Sequence, residues 1–199
     1  MKTLPLYTGR TLRLTPLNAE KDAPAASQWT IETDIAEKFR EGPAMPLTSP
    51  EVRKVFEGWV KEAEDSGRTF VFAYRPQDDE RLVGFLHIAH VEWVHGAGMI
   101  NLVIGETQDR AAYAREALEM ALNYAFDELN LFRVTIRAAE NDRAACRLFD
   151  ETNLTLEVRQ RQAVYRDGRL WDRLSYGMLR PEWLVFHPAW QAFRPLEVA

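Results

Sequence analysis

Apolar residues recur at Ala114, Ala117, Leu118, Ala121, Leu122, Ala125, Phe126 and Leu129. This is the stripe of a long amphipathic helix that must lay one face on a core. β-forming runs stand on either side of it. Met99-Ile100-Asn101-Leu102-Val103-Ile104 precedes it, and Phe132-Arg133-Val134-Thr135-Ile136-Arg137-Ala138 follows it. The second run alternates, with Val134, Ile136 and Ala138 on one side and Arg133, Thr135 and Arg137 on the other. A helix joining two strands belongs on the face of a sheet. Its first turn presents unpaired backbone N–H groups and a partial positive charge, so it can hold a phosphate without a charged side chain.

The rest of the chain supplies more of the same. Thr11–Pro16 reads as a strand closed by proline, and a looser helical region follows from about Ala19 to Phe39. Glu41–Thr48 has turn chemistry and reads as a loop near a pocket. Ser49 is expected to cap a helix with Pro50 in its first turn, and the stripe Val52, Val55, Phe56, Trp59 and Val60 faces inward until Ser66-Gly67. Strands are predicted at Thr69–Tyr74 and Leu82–His90. Asn141 is expected to cap a short helix bearing Ala144, Ala145, Leu148 and Phe149. Two last strands flank Asp167-Gly168, a strong hairpin signal. The order is β-α-α-β-β-β-α-β-α-β-β, an α/β (α+β) chain with a mixed, mostly antiparallel sheet and helices on both faces. Residues 1–185 form the expected domain. An aromatic tail at 186–199, with Trp190 and Phe193, is expected to pack on it or on a partner.

With 46% hydrophobic and 28% charged residues the chain is globular rather than disordered. A formal net charge of -5 gives no footprint for nucleic acid but suits small cationic substrates. Cys146 is the single cysteine, which precludes an internal disulfide and points to a reducing, cytoplasmic setting. No run has the length of a membrane span, and Met1–Pro5 lacks the apolar core of a signal peptide. No metal-ligand spacing is present, so no metal site is expected.

Four segments in this order and spacing carry a resemblance: Glu116-Ala117-Leu118, Tyr124–Leu129, Asn141-Asp142-Arg143-Ala144 and Tyr165-Arg166-Asp167-Gly168-Arg169. The chain resembles the GNAT superfamily of N-acetyltransferases, and within it the branch that acetylates ribosomal-protein N-termini. The resemblance implies a splayed sheet whose adjacent strands part in the middle, and acetyl-CoA as co-substrate. The pantetheine arm would pair with the backbone of Leu102, Val103 and Ile104. The pyrophosphate would sit on the turn at Asp109, Arg110, Ala111, Ala112, Tyr113 and Ala114. At that turn Asp109 replaces a neutral or cationic residue of the family pattern, and Ala112 replaces a glycine that lets backbone approach phosphate. Arg110 and Arg115 are candidates to supply compensating charge. Asn141 matches a family position that contacts the cofactor.

The chemistry asks little of the protein: an amine must lose a proton, an oxyanion needs a donor, and a thiolate leaves. The family's tyrosine acid falls on Phe149, which has no proton to give. Glu92 and His90, just past the strand at Leu82–His90, are the candidate bases, with His95 beside them; the same residues also fit a solvated loop. His87, inside that strand, reads as structural, and Cys146 as a buried thiol. The expected reaction moves an acetyl group to a primary amine by direct attack, the amine belonging to a small molecule or a protein N-terminus. The alternative is a catalytically impaired binding module of the same fold, holding CoA, a ligand or a protein partner. A monomer or a homodimer is expected. The acceptor is expected to be set by residues 29–46 and 159–171.

Overall fold

The computed structural model describes residues 7–39, 44–106, 108 and 110–186. Seven strands form one sheet: β1 (Leu12–Pro16), β2 (Phe70–Pro76), β3 (Gly84–Glu92), β4 (Ala97–Ile104), β5 (Arg133–Ala139), β6 (Thr155–Arg166) and β7 (Arg169–Leu179). Their order is β1-β2-β3-β4-β5-β7-β6. Every neighbouring pair is antiparallel except β4 with β5, which is parallel. That pair is the one joined by the long helix, because a parallel connection needs a crossover.

Helices cover both faces. α1 (Ala19–Trp29), α2 (Thr33–Ala36) and α3 (Ser49–Ser66) belong to one side, where Ala26, Phe39, Val52 and Phe56 pack with Ala73, Phe85 and Val103 of the sheet. α4 (Arg110–Asn123) and α5 (Arg143–Glu151) belong to the other, with Leu118, Leu122 and Phe149 packed among Leu86, Ile88, Ile100 and Ile136. Phe56 and Phe85 are fully buried and meet edge-on at 5.7 Å. Each such ring stabilises the fold by about 1.5–3 kcal/mol through burial alone.

The predicted order holds, and the differences have local causes. The first helical region breaks at Thr30, whose hydroxyl turns back to the Ser27 carbonyl (2.7 Å) and accepts from Leu47 N–H (2.8 Å). The cap of α3 is Thr48, not Ser49, because Glu51 reaches back to the Thr48 N–H (2.8 Å) and completes a capping box. Gly67 closes α3 at φ 59, as its place past the helix end required. Asp167 and Gly168 both have positive φ (50 and 76), the geometry of the tight hairpin their sequence foretold. The stripe of α4 runs into a π-helical turn, Tyr124–Glu128, in which Leu129 N–H bonds Tyr124 O at 3.0 Å.

A final helix, α6 (Arg180–Phe186), carries Trp183 back onto the domain, where it is buried and stacked on Phe126 at 5.7 Å. The rest of the aromatic tail, Trp190 and Phe193 included, lies outside the described residues, as do Asp109 and residues 41–43 of the expected pocket loop. No helix among the described residues is long and apolar enough to cross a membrane.

Candidate active site

β4 and β5 pair only from Ala97↔Arg133 to Ile100↔Ile136. Residues 101–104 and 137–139 continue without bridging each other. The strands therefore part in the middle of the sheet. Hydrogen-bond alternation decides which backbone groups face the gap. Gly105 N–H bonds Val83 O (3.0 Å), which assigns the odd-numbered residues of β4 to β3 and turns Leu102 and Ile104 toward β5. Arg180 N–H to Phe132 O (2.8 Å) and Glu140 N–H to Asp172 O (2.9 Å) assign the even-numbered residues of β5 to β7, so Arg137 and Ala139 turn toward β4. Arg133 N–H to Gly96 O (3.0 Å) agrees with this phase. The first hydrogen bond missing from the series is Leu102 N–H to Arg137 O. The gap opens there.

The turn ahead of α4 is pinned. A Cβ on Gly105 would lie 1.8 Å from the Trp29 ring, so only glycine lets α1 close on this turn. Arg110, expected to meet pyrophosphate, instead forks onto Glu32 with both contacts at 2.6 Å and donates to the Gly105 and Glu106 carbonyls (both 3.0 Å). The hydrogen bonds from Arg110 hold the Glu32 carboxyl below its usual range against the opposing effect of burial. Arg115 is paired with Glu151 of α5. Both cations considered as phosphate ligands are thus engaged as braces, one to the turn after α1 and one to α5. Ala111 and Ala112 are exposed, leaving the first turn of α4 open to an anion through its backbone. Tyr113 and Ala114 pack against the core of the α4 face.

At the far end of β5 the helix cap differs from expectation by one residue. Asp142 caps α5 by accepting from Ala145 N–H (3.0 Å), and Asn141 stands just outside the helix. Relieved of capping, Asn141 has a buried Oδ1 without a hydrogen-bond partner. A buried acceptor left unmatched is costly, and beside a gap in a sheet it marks a place for a donor. Phe149 is buried and meets Tyr176 edge-on at 5.2 Å, so it serves packing. The Tyr176 phenol, pushed up to about 12 chiefly by burial, keeps its proton. Cys146 is half-buried, and burial raises its thiol.

On the opposite face, α2 reaches the same gap. Lys38, just past α2, donates to Arg137 O at 3.2 Å, the carbonyl left over where the ladder stops. Arg166 of the β6–β7 hairpin contacts Glu37 at 2.5 Å and Asp34 at 3.6 Å. It thereby joins the two segments expected to shape acceptor choice. Burial, reinforced by Asp142, raises the Asp34 carboxyl. His87 is buried opposite Asn101 on this face, stacked on Trp59 at 4.6 Å, with Nε2 unpartnered. Desolvation, outweighing the opposing pull of Glu62 and aided by His90, brings its pKa down to about 4. Its place within the strand reads as structural. Its unmatched nitrogen beside the first residues of the gap was not readable from alternation alone.

Glu92 and His90 are placed elsewhere. Glu92 pairs with Ala97, on the closed side of the last β4–β5 rung, and a bulge between Ala89 and Glu92 gives His90 a φ of 54. Three residues separate Ala97 from Ile100, roughly 10 Å along a strand. Both side chains are exposed, and both leave the end of β3 remote from the opening, whereas His87 stands opposite Asn101. The bulge turned a run that reads as continuous strand toward solvent at the point where the bases were expected.

A model of the acetyltransferase (GNAT) domain matches residues 11–153. The chain belongs to the GNAT acetyltransferase family. GNAT relatives include a spermidine N(1)-acetyltransferase of Vibrio cholerae, 22% identical over 105 residues, which are 53% of this chain and 61% of that protein. The chain thus matches less than two thirds of that relative's length. The uncharacterised N-acetyltransferase YnaD of Bacillus subtilis is 24% identical over 164 residues, 82% of this chain and 91% of that one. Among solved structures, the ribosomal L7/L12 alpha-N-protein acetyltransferase RimL in complex with coenzyme A superposes with a TM-score of 0.71 at 19% identity, covering 87% of this chain and 96% of that one. The GNAT family uses acetyl-CoA as co-substrate.

Proposed function

We propose that this protein transfers an acetyl group from acetyl-CoA to a primary amine by direct attack, with the amine approaching on the α2 side of the gap. The observation that carries the reading is the parting of β4 from β5 at Leu102 and Arg137. It leaves a main-chain donor, Leu102 N–H, facing a slot with a buried, unmatched amide oxygen, Asn141 Oδ1, beyond it on the β5 side. Leu102 and Ile104 would hold the pantetheine amides, Asn141 would accept from one of their N–H groups, and the first turn of α4 would take the pyrophosphate. When bound, acetyl-CoA supplies a thioester carbonyl whose thiolate leaves readily at neutral pH, which is consistent with Phe149 standing where the family has an acid.

The protein's own part is to position the amine. His87 stays neutral, and a base with a pKa of about 4 is too weak to strip an ammonium outright. It can accept a hydrogen bond from the incoming amine and aim it, while the proton passes to water. Asp34 and Glu37, the carboxylates that would meet the second charge of a polyamine, are already met by Arg166. This balance favours a single amine, such as a peptide N-terminus or a small monoamine. Release of free CoA across a panel of peptides, monoamines and spermidine tests the assignment. Binding of acetyl-CoA with no CoA released from any amine would favour the binding-module reading, and absence of acetyl-CoA binding at millimolar concentration would sink the enzyme.

Two variants check the placement of groups. Asn141→Ala is expected to weaken acetyl-CoA binding about tenfold by calorimetry. Its melting temperature should stay level or rise, because the atom removed has no partner in the free protein. Unchanged affinity would remove Asn141 from the site. Glu92→Gln and His90→Gln are each expected to retain turnover within a few-fold, whereas loss of a true general base lowers it by about 10²–10⁴. A drop of that size in either would restore the residue as the base.

A further inference from the structure

The missing rung between the parted strands is filled in an unusual way. Where Leu102 N–H should meet Arg137 O, the carbonyl is taken by the Lys38 ammonium at 3.2 Å. A primary amine thus stands on the β5 wall of the gap, at the rung where the two strands separate. The site is walled yet reachable. The hydrogen bond retains solvent access, while desolvation by the surrounding protein lowers the amine's pKa against the pull of Asp142, Glu37 and Asp34, with Arg173 adding to the lowering. A surface lysine at neutral pH is almost wholly protonated and is a poor nucleophile. Enclosure enlarges the neutral fraction that can attack a carbonyl.

We infer that Lys38 is an internal acetyl acceptor, modified at Nζ by acetyl-CoA bound in the gap of its own chain. The inference rests on the assignment of that gap to acetyl-CoA. Nζ gives one proton to water and forms a bond to the acetyl carbonyl carbon as the carbon–sulfur bond breaks. The thiolate takes up the second proton, which Nζ sheds as the amide forms, so the products are an N-acetylated Lys38, free CoA thiol and the one proton released to water. The new amide keeps an N–H that can still serve the Arg137 carbonyl. Its positive charge is gone, which tips the balance of Asp34, Glu37 and Asp142 against Arg166 and Arg173 toward the carboxylates.

The test uses the full chain with acetyl-CoA and no added amine, followed by intact mass and peptide mapping. One acetyl group per chain is expected at Lys38, in clear excess over Lys2, Lys21, Lys54 and Lys61. A second readout needs no turnover: trace acetic anhydride should label Lys38 ahead of the other lysines, and CoA should protect it. Lys38→Arg should carry no such label while calorimetry still shows acetyl-CoA bound. Acetyl-CoA binding with label absent, or spread evenly over the lysines, overturns the inference and leaves the site assignment standing. Failure of the wild-type chain to bind acetyl-CoA overturns both.

Discussion

Arg75→Ala is expected to destabilise the protein by about 3–5 kcal/mol, read as a fall in the urea midpoint. Arg75 lies in β2 and is 7% exposed; Asp22 of α1 is 2% exposed. The guanidinium grips both carboxylate oxygens of Asp22 (2.7 and 2.9 Å), donates to Glu80 O (2.6 Å) and reaches the Thr15 hydroxyl (3.0 Å). Asp22 in turn accepts from Asn18 N–H (2.8 Å), so the pair ties the start of α1 to the sheet. Removing the cation strands the Asp22 carboxylate in the interior, while the exposed Glu80 carbonyl can turn to water. The penalty is mostly that of the stranded partner, and a second substitution should show it. Arg75→Met with Asp22→Leu is expected to recover most of the loss, because a packed apolar pair avoids the desolvation cost. An Arg75→Ala loss under 1 kcal/mol would mean that water reaches Asp22. No recovery in the double variant would mean that the pair's hydrogen bonds, rather than a stranded charge, set the cost.

Glu116→Ala is expected to cost about 2–3 kcal/mol and to flatten the acid limb of the stability curve. This carboxylate, buried on α4, accepts from the Thr11 N–H (2.8 Å), the Thr11 hydroxyl and the Leu12 N–H (3.2 Å), fastening the helix to the start of β1. Thr11 is exposed, so water can replace the carboxylate there. The Leu12 N–H is buried and has no such recourse, hence a cost set largely by one unmet donor with a charged partner lost. Burial pushes the Glu116 carboxyl up, but the hydrogen bonds from Thr11, Leu12 and Arg10 outweigh it and hold the folded pKa below the ordinary 4.5. A carboxyl depressed in the folded state contributes stability above its unfolded pKa and loses it as pH falls through the folded one. Wild type should therefore weaken from about pH 4.5 downward, and Glu116→Gln should weaken less steeply over that range. Parallel acid limbs in the two proteins would assign the acid transition to other groups.

Stability and site meet in these residues. Glu116 fixes α4, whose first turn would take the pyrophosphate in the proposed complex. Arg110, on the same helix, is drawn to Glu32 and so clamps the turn that follows α1. Arg110 and Arg115, expected to meet a ligand, brace the scaffold through Glu32 and Glu151. In the proposed complex the first turn of α4 would bind the anion through its N–H groups rather than through Arg110.

Periodicity and capping chemistry made most of the elements legible. The stripe from Ala114 to Leu129 could only be a helix on a sheet, the alternation at 132–138 only a strand with a helix-facing side, and Asp167-Gly168 only a tight hairpin. The capping positions at Thr48 and Asp142 were missed by one residue each, because two adjacent residues could serve and the winner depended on which oxygen reached the third N–H. The four motif segments, taken together, also carried the family. Those features are local in sequence, and local stereochemistry settles them.

The site was decided by long-range geometry. Where β4 leaves β5 depends on the phase of two ladders fixed by β3 and β7, so neither strand announces the gap. The bulge at His90 moved Glu92 and His90 to solvent through a backbone irregularity that leaves no mark in a run of β-formers. Lys38 reaches Arg137 across 99 positions of sequence, and His87 acquires its unmatched nitrogen only when Trp59 of α3 folds over it. Sequence by itself determined which segments are helix and strand and to which family they belong, because turns, caps and periodic faces are short-range. Only the tertiary structure decided which side chains share the opening, because a contact between distant residues exists only once the chain has paid the entropy of bringing them together.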